Sequence, residues 1–271
     1  MLLLSVQRIG FFLHRITTSR LGNRLKWVDK IFVRMYFAYK HFFEGKQLKS
    51  LFGILMEMDF LVDVGAGFGF HSKYFLLNSK RSCKVISFEP DLLNYSRLTR
   101  EIEGYIHGKE FQQTDKINTY NIGVSNKSGR MYFKTDQFNP ANHQLVNHPT
   151  GLSVEVQPLD HFKNMYDFSG LMFIKIDVQG HEFEVLQGAE EIILTLKPLI
   201  LSEFDYSLST LPECLQIWDF MIRRDYSAYA FTNDKWACIN ELPTFPIYFD
   251  LLFIPRSFSH NYPNLITKLM A

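Results

Sequence analysis

Residues 63–72 read DVGAGFGFHS and follow the apolar run Phe60, Leu61 and Val62. Gly65, Gly67 and Gly69 alternate with other residues just before a segment patterned as a helix. Glycine accepts positive φ and lets a ligand approach the backbone with no Cβ in the way. In an open α/β sheet, ligands bind beyond the carboxyl ends of the strands, where this loop would stand. A dinucleotide fingerprint spaces its glycines G-x-G-x-x-G. Counted from Gly65, its third glycine position is Phe70, and the glycine arrives one residue early at Gly69. The spacing disfavours an NAD(P)-type oxidoreductase. It leaves a different nucleoside ligand, seated on Asp63, Gly65, Ala66, Gly67, Gly69 and Phe70.

Glu89 closes the next apolar run, Lys84 to Phe88, twenty residues after Gly69. A carboxylate there accepts hydrogen bonds from both hydroxyls of a ribose and repels a 2′-phosphate. Pro90 then turns the chain away from the strand. Asp63 has two readings. It holds the loop and meets a cationic part of the ligand, or it only caps nearby backbone N–H groups, as Asp commonly does.

From residue 59 onward, short apolar runs alternate with amphipathic stretches, the pattern of an α/β protein with a mostly parallel sheet and helices on both faces. Seven strands are predicted: 60–64, 84–88, 119–124, 171–176, 199–204, 227–231 and 249–254. Helices are predicted over 71–78, 92–102, 182–196 and 212–223. Two more β-like runs, 130–134 and 153–157, flank TDQFNPANHQLVNHPTG (residues 135–151). A long irregular segment of this kind is usually functional, and it offers His143 and His148 to a substrate.

IKIDVQGHEFEVLQGAEEII, residues 174–193, resembles the strand-four signature of the FkbM family of methyltransferases. VDVGAGFGFHS, VISFEPDLLNYSRL, NIGVSNKSG, VEVQPLDHF and KPLILSEF resemble the family's other blocks in the same order, over roughly residues 60–205. The resemblance implies a Rossmann-like class I methyltransferase fold, S-adenosylmethionine as methyl donor, and transfer to an oxygen of a sugar or natural product. It implies that Gly65, Gly67 and Gly69 wrap the methionine part, that Glu89 binds ribose with Pro90 beside it, and that Gly123 lies near the adenine. Asp177 would stand close to the reacting methyl. Gln179 occupies a position where the family often has Glu, and Gly67 one where Asn is frequent. The loss of charge at Gln179 keeps a non-catalytic, cofactor-binding scaffold in view.

Methyl transfer to a hydroxyl needs alignment, worth on the order of 7–11 kcal/mol, and a general base, worth about 10²- to 10⁴-fold. The candidates follow the fourth and fifth strands. Asp177 is the first choice to anchor donor or acceptor, and His181 is the natural base with an ordinary pKa of about 6.5. Glu203 is the third, with Asp205 and Glu182 nearby. Glu182 and Glu184 also suit the first turn of a helix, where an acid gains roughly 0.3–1 kcal/mol from the dipole. Asp160, Asp177 and Asp205 would suit a hard cation only if they converged, and no compact ligand spacing supports a metal.

Lys and Arg total 29 against 28 Asp and Glu, so no global charge points to a nucleic acid. Cys83, Cys214 and Cys238 show no metal or redox spacing and read as reduced and structural, which favours a cytoplasmic location. Residues 1–50 differ from 51–271 in composition, with ten Lys or Arg and only two acids, Asp29 and Glu44. MLLLSVQRIGFFLHRI is too interrupted by Arg8, His14 and Arg15 to span a bilayer, which takes about 20 mainly apolar residues. Leu2, Val6, Ile9, Leu13 and Ile16 recur at helical spacing, as do Val28, Ile31, Met35, Ala38 and Phe42. This basic amphipathic extension either packs on the catalytic domain or rests peripherally on an anionic membrane. Phe42, Phe43, Phe68 and Phe70 read as core or pocket walls.

Overall fold

The computed structural model describes residues 26–108, 116–134, 144–146, 149, 152–206, 209–243 and 248–270. The predicted helix at Leu2 to Ile16, and His143 and His148, lie outside them. The strands, in chain order, are β1 (Phe60–Val64), β2 (Lys84–Phe88), β3 (Ile117–Tyr120), β4 (Gly123–Val124), β5 (Gly129–Lys134) and β6 (Gln144–Val146). They continue with β7 (Ser153–Gln157), β8 (Met172–Ile176), β9 (Leu199–Asp205), β10 (Tyr226–Thr232), β11 (Lys235–Ile239) and β12 (Tyr248–Pro255). The main sheet runs β11-β10-β12-β9-β8-β1-β2-β3, and a small second sheet runs β4-β7-β5-β6. The five strands from β9 to β3 are parallel to one another, whereas β12 is antiparallel to both β9 and β10.

The main sheet therefore has eight strands among the described residues, not seven. The additional one, β11, pairs with β10 across Asn233 and Asp234, both at positive φ (51° and 63°). That is the backbone a tight two-residue hairpin demands, and Asn-Asp was its sequence signal. The predicted strand over 119–124 is in fact two. Asn121 donates its side-chain amide to the carbonyls of Glu89 (2.9 Å) and Pro90 (3.1 Å), so the chain leaves the main sheet after Tyr120 and enters the small one at Gly123.

The helices are α1 (Lys26–Leu55), α2 (Phe70–Leu77), α3 (Leu92–Gly108), α4 (Glu182–Gln187), α5 (Glu190–Leu196), α6 (Leu211–Ile222), α7 (Arg256–Asn261) and α8 (Pro263–Met270). The predicted helix 182–196 breaks at Gly188, where a Cβ would lie 2.0 Å from the Ser125 carbonyl oxygen. The break exposes new N–H groups, and the Asp160 carboxylate accepts from two of them, Glu191 and Ile192, at 2.9 Å each. α6 begins with a capping box between Thr210 and Glu213, which satisfies two of the donors a helix start leaves open.

Each main strand buries alternate residues on opposite faces. Val62, Ile86, Ile174, Ile200 and Leu251 join α4, α5 and α6 on one side. Leu61, Val85, Phe173, Leu201 and Leu252 join α1, α2, α3, α7 and α8 on the other. Helices thus cover both faces, as the resemblance implies. Residue 50 falls inside α1, whose Leu51, Ile54 and Leu55 belong to the second of these cores. Cys83 and Cys214 are buried, but Cys238 on β11 is exposed and fills no core position.

Candidate active site

The face that carries α1 changes character toward the carboxyl ends of the strands. One step of two residues takes Leu61 to Asp63, Val85 to Ser87, Phe173 to Lys175 and Leu201 to Glu203, and Leu252 lies two residues from Asp250. Asp63 stands opposite Ser87 and Lys175 in the ladder, and Glu203 stands opposite Asp250. Strand periodicity thus converts five apolar positions into polar ones on one face, with Lys175 paired to Leu201 so that Glu203 and Asp250 stand two residues further along. This polar face is the floor of the site, and α1 and α2 lie over it.

The glycine loop is built onto the second strand. Gly65 and Ala66 donate their N–H groups to the Phe88 carbonyl at 3.0 and 2.9 Å. The Gly67 N–H reaches Glu89 Oε2 at 2.7 Å, while Glu89 Oε1 accepts from the Asp91 N–H at 2.8 Å. Gly65 sits at φ 79°, and a Cβ there would lie 1.8 Å from the Asp177 carbonyl oxygen. Glycine is obligatory at that point. Gly67 also has positive φ (55°), but a Cβ on it meets nothing within 4 Å, so the loop is open there. A Cβ on Gly69 would meet Leu98 at 2.6 Å, so the third glycine seats α3 against the loop. Gly123 lies against Pro90 and Val156, at the junction of the loop after β2 with the small sheet.

Asp63 is fully buried, and its Oδ2 accepts from Ser72 Oγ at 2.6 Å, with Ser87 Oγ 2.8 Å from the same hydroxyl. Its Oδ1 is buried without a hydrogen-bond partner. Asp63 thus ties the start of α2 through the Ser72 side chain rather than through backbone N–H groups.

Asp177 follows β8 and is the most heavily paired acid. Lys175 Nζ lies 2.8 Å from Oδ2, Lys40 Nζ of α1 lies 3.8 Å from the same oxygen, and Gln179 Nε2 donates to Oδ1 at 2.9 Å. Burial opposes ionisation, yet Lys175 and Lys40 outweigh it and hold Asp177 well below the usual carboxylate range. Burial likewise opposes charge on Lys175, but Asp177 and Asp63 raise its pKa above the ordinary value. Lys40 bonds Glu44 at 2.5 Å, and Glu44 in turn meets His71 Nε2 at 2.9 Å. Against its burial, Lys40 and His71 hold Glu44 down to about 2.

Gln179 stands at φ 58° and donates a second hydrogen bond from Nε2 to Glu203 Oε2 at 2.8 Å. The departure from Glu at this position acquires a reason: a neutral amide bridges two carboxylates that would repel a third. Glu203 is pushed well above its ordinary value, first by burial and then by Asp177 and Glu182. Asp250, half-buried on the neighbouring strand, is pushed up to about 7 by burial and by Glu44, against Lys175. It combines a strand-end position with a near-neutral pKa, and only the antiparallel placement of β12 brings it here.

The structure separates other candidates from this cluster. His181 is buried, with Nε2 2.9 Å from Ser125 Oγ and Nδ1 3.5 Å from Glu184, and burial lowers its pKa. It braces the small sheet against α4. Glu182 accepts from the N–H groups of Val178 and Gly180 at 3.1 Å, shaping the loop after β8, and burial pushes it up to about 7. Asp160 caps α5 and does not converge with Asp177 and Asp205 on a cation. Among the described residues, no group of three His, Cys, Asp or Glu is placed to hold a metal ion.

Lys40, Glu44 and Asp250 lie outside the quoted motifs, and His71 and Lys175 lie within them without a role that their spacing assigns. Lys175 and Asp250 were visible as polar residues in apolar strand runs. Lys40 and Glu44 were visible as an i,i+4 pair of opposite charge inside the basic segment.

Residues 63–228, well over half of the chain, match the family described as Methyltransferase FkbM domain. The chain belongs to the FkbM methyltransferase family. The FkbM fold is the Rossmann-like class I methyltransferase fold that the resemblance implies. Among solved structures, an FkbM methyltransferase from Methylobacillus flagellatus is similar at 22% identity and TM-score 0.49, over 73% of this chain and 43% of that one. This FkbM chain therefore spans less than half the length of that protein. An O-methyltransferase from Bacillus cereus, in complex with SAH, shares 13% identity at TM-score 0.42, over 78% and 79% of the two chains. A SAM-dependent O-methyltransferase from Thermotoga maritima shares 9% identity at TM-score 0.41, over 78% and 65%. No curated protein matches this chain.

The site's acceptors suit a nucleoside with a cationic tail. Each Glu89 oxygen accepts one backbone N–H, and a carboxylate offers about four lone-pair sites, so acceptor capacity remains for two hydroxyls. The open face of Gly67 and the unpartnered Asp63 Oδ1 supply room and a counter-charge.

Proposed function

We propose that this protein is an S-adenosylmethionine-dependent methyltransferase that methylates a hydroxyl of a glycan or other hydroxylated metabolite. The observation that carries the reading is Glu89 clamped to the glycine loop through Gly67, with an open face at Gly67 and a glycine-only contact at Gly65. Glu89 receives the ribose hydroxyls. Gly65, Ala66, Gly67, Gly69 and Phe70 form the loop around the donor, Asp63 faces its ammonium, and Pro90 and Gly123 border the base. When bound, S-adenosylmethionine supplies an electrophilic methyl group.

The remaining chemistry belongs to the chain. Asp177, kept ionised by Lys175 and Lys40, orients the acceptor with the lone pairs its partners leave. Asp250 removes the hydroxyl proton, the role that the ordinary pKa of an imidazole suggested for His181. A base with pKa near the working pH serves best, and Asp250 meets that condition where His181 is committed to Ser125. Glu203 is a positioning residue that acts on Asp177 through Gln179.

Calorimetric titration with S-adenosylmethionine and S-adenosylhomocysteine tests the donor half, and saturable binding is expected. Labelled methyl transfer to hydroxylated glycans and to native host extract, read by mass spectrometry, tests the acceptor half. Absence of donor binding ends the reading. Donor binding with no methylated product from any source would reduce the protein to a cofactor-binding scaffold.

A further inference from the structure

Helix α1 has two apolar stripes. Val28, Phe32 and Val33, followed by Leu48, Leu51 and Leu55, are buried. Tyr36 and Phe32 pack as tilted rings against Phe68 of the glycine loop, with centroids 4.6 and 5.5 Å from it. The stripe expected from periodicity, Val28, Ile31, Met35, Ala38 and Phe42, divides: Val28 is buried, Met35 is partly covered, and Ile31, Ala38 and Phe42 face solvent. Trp27 is 61% exposed, Ile31 41%, Phe42 80% and Phe52 45%.

At 100° per residue, Trp27, Ile31, Arg34, Phe42, Lys49 and Phe52 fall within about 80° of one another, and Lys30 lies beside them. At 1.5 Å per residue this face runs about 38 Å from Trp27 to Phe52. Both acids of the helix are turned inward. Asp29 pairs with Arg97 and Arg100 at 2.7 Å, and Glu44 pairs with Lys40 and His71. Lys30, Arg34 and Lys49 are exposed and form no ion pair among the described residues. The outer face is therefore aromatic and basic with no acid on it. Among the described residues, no helix is long and apolar enough to cross a membrane.

We infer that the outer face of α1 is a docking surface for an anionic lipid bilayer, lying in the interfacial plane with Trp27, Ile31, Phe42 and Phe52 inserted and Lys30, Arg34 and Lys49 at the headgroups. Charge decides the occupant. A protein partner would need its own acidic, apolar groove, whereas an anionic bilayer offers both features along the whole face. Helices with aromatic and aliphatic residues beside Lys and Arg bind such interfaces through buried apolar area plus electrostatic attraction. The inference is independent of catalysis, because none of these side chains belongs to the site.

The full chain is to be sedimented with vesicles of phosphatidylcholine and phosphatidylglycerol at 7:3, and with phosphatidylcholine alone. Binding is expected only to the anionic vesicles, and it should weaken as salt screens the charges. The triple variant K30E/R34E/K49E should bind about a hundredfold more weakly, from the contribution of each basic residue near an anionic surface. W27A/F42A should lose anionic binding as well, with melting temperature and donor affinity unchanged in both variants. Equal partition onto neutral and anionic vesicles, no partition onto either, or wild-type binding by both variants would overturn the proposal. So would a dimer in light scattering that W27A/F42A dissolves, since the face would then belong to a second copy.

Discussion

Glu89 is buried and pushed up to about 8, by desolvation first and by Asp91 next, against the hydrogen bonds from the Asp91 and Gly67 N–H groups. Only its carboxylate form accepts from two ribose hydroxyls, so protonated copies are incompetent to bind donor. A competent fraction f weakens the apparent affinity by 1/f, which means about tenfold at pH 7 and about a hundredfold at pH 6. The sign follows from linkage: donor binding selects the ionised form, lowers the Glu89 pKa and releases a proton. For the same reason the donor-free fold loses stability through Glu89 as pH rises from 4.5 to about 8, because the folded state keeps a proton that the unfolded chain gives up. The assay is calorimetric titration with S-adenosylhomocysteine at pH 6, 7 and 8, in two buffers of different ionisation heat. Affinity should climb about tenfold per pH unit until about pH 8, with proton release, and E89Q should abolish the slope while weakening binding at pH 8. A flat profile in the wild type, or an unchanged slope in E89Q, would refute the reasoning.

Four other outcomes separate the roles assigned here. Gly65→Ala should fail to reach a stable native fold in urea titrations, because its Cβ meets backbone at 1.8 Å; Gly67→Ala should lose only about 1–2 kcal/mol, the cost of left-handed backbone. If the two variants melt alike, the loop geometry is wrong. Asp250→Asn should lower kcat by about 10²- to 10⁴-fold with donor affinity intact, and retained turnover would remove it as the base. His181→Ala should lower stability by about 1–3 kcal/mol, through the buried Ser125 hydroxyl it strands. A large fall in kcat at full stability would instead return His181 to catalysis. Gln179→Glu should destabilise the fold above pH 7, where it adds a third carboxylate to Asp177 and Glu203, and should lose that penalty under acidic conditions. A pH-independent melting temperature difference would contradict the bridging role.

What the sequence by itself determined were the local features. Glycine spacing disfavoured the dinucleotide turn, because the fingerprint is a matter of which residue stands at each position of one short loop. Short apolar runs located the predicted strands, although 119–124 proved to be two, and KIDVQGHE with its companion blocks identified the family. Tertiary structure decided which polar residues meet. Asp63, Lys175, Glu203 and Asp250 come from four strands, and only the pairing register sets Asp63 beside Lys175 and Glu203 beside Asp250, two residues further along the same face. The partner of His181 is likewise tertiary: Ser125, just after a small-sheet strand and 56 residues earlier in the chain, meets its ring. Helix α1 shows the same limit most plainly. Its periodicity marked a stripe that the structure divides, with Val28 buried and Ile31, Ala38 and Phe42 exposed, because a helix apolar on two sides cannot say which side the core will take. Phe68 and the polar face settled that choice, since burying Phe32 and Tyr36 also brings Lys40 and Glu44 onto Asp177 and His71. Packing and charge compensation favour the same orientation, and neither can be read until the loop, the strand ends and the helix stand together.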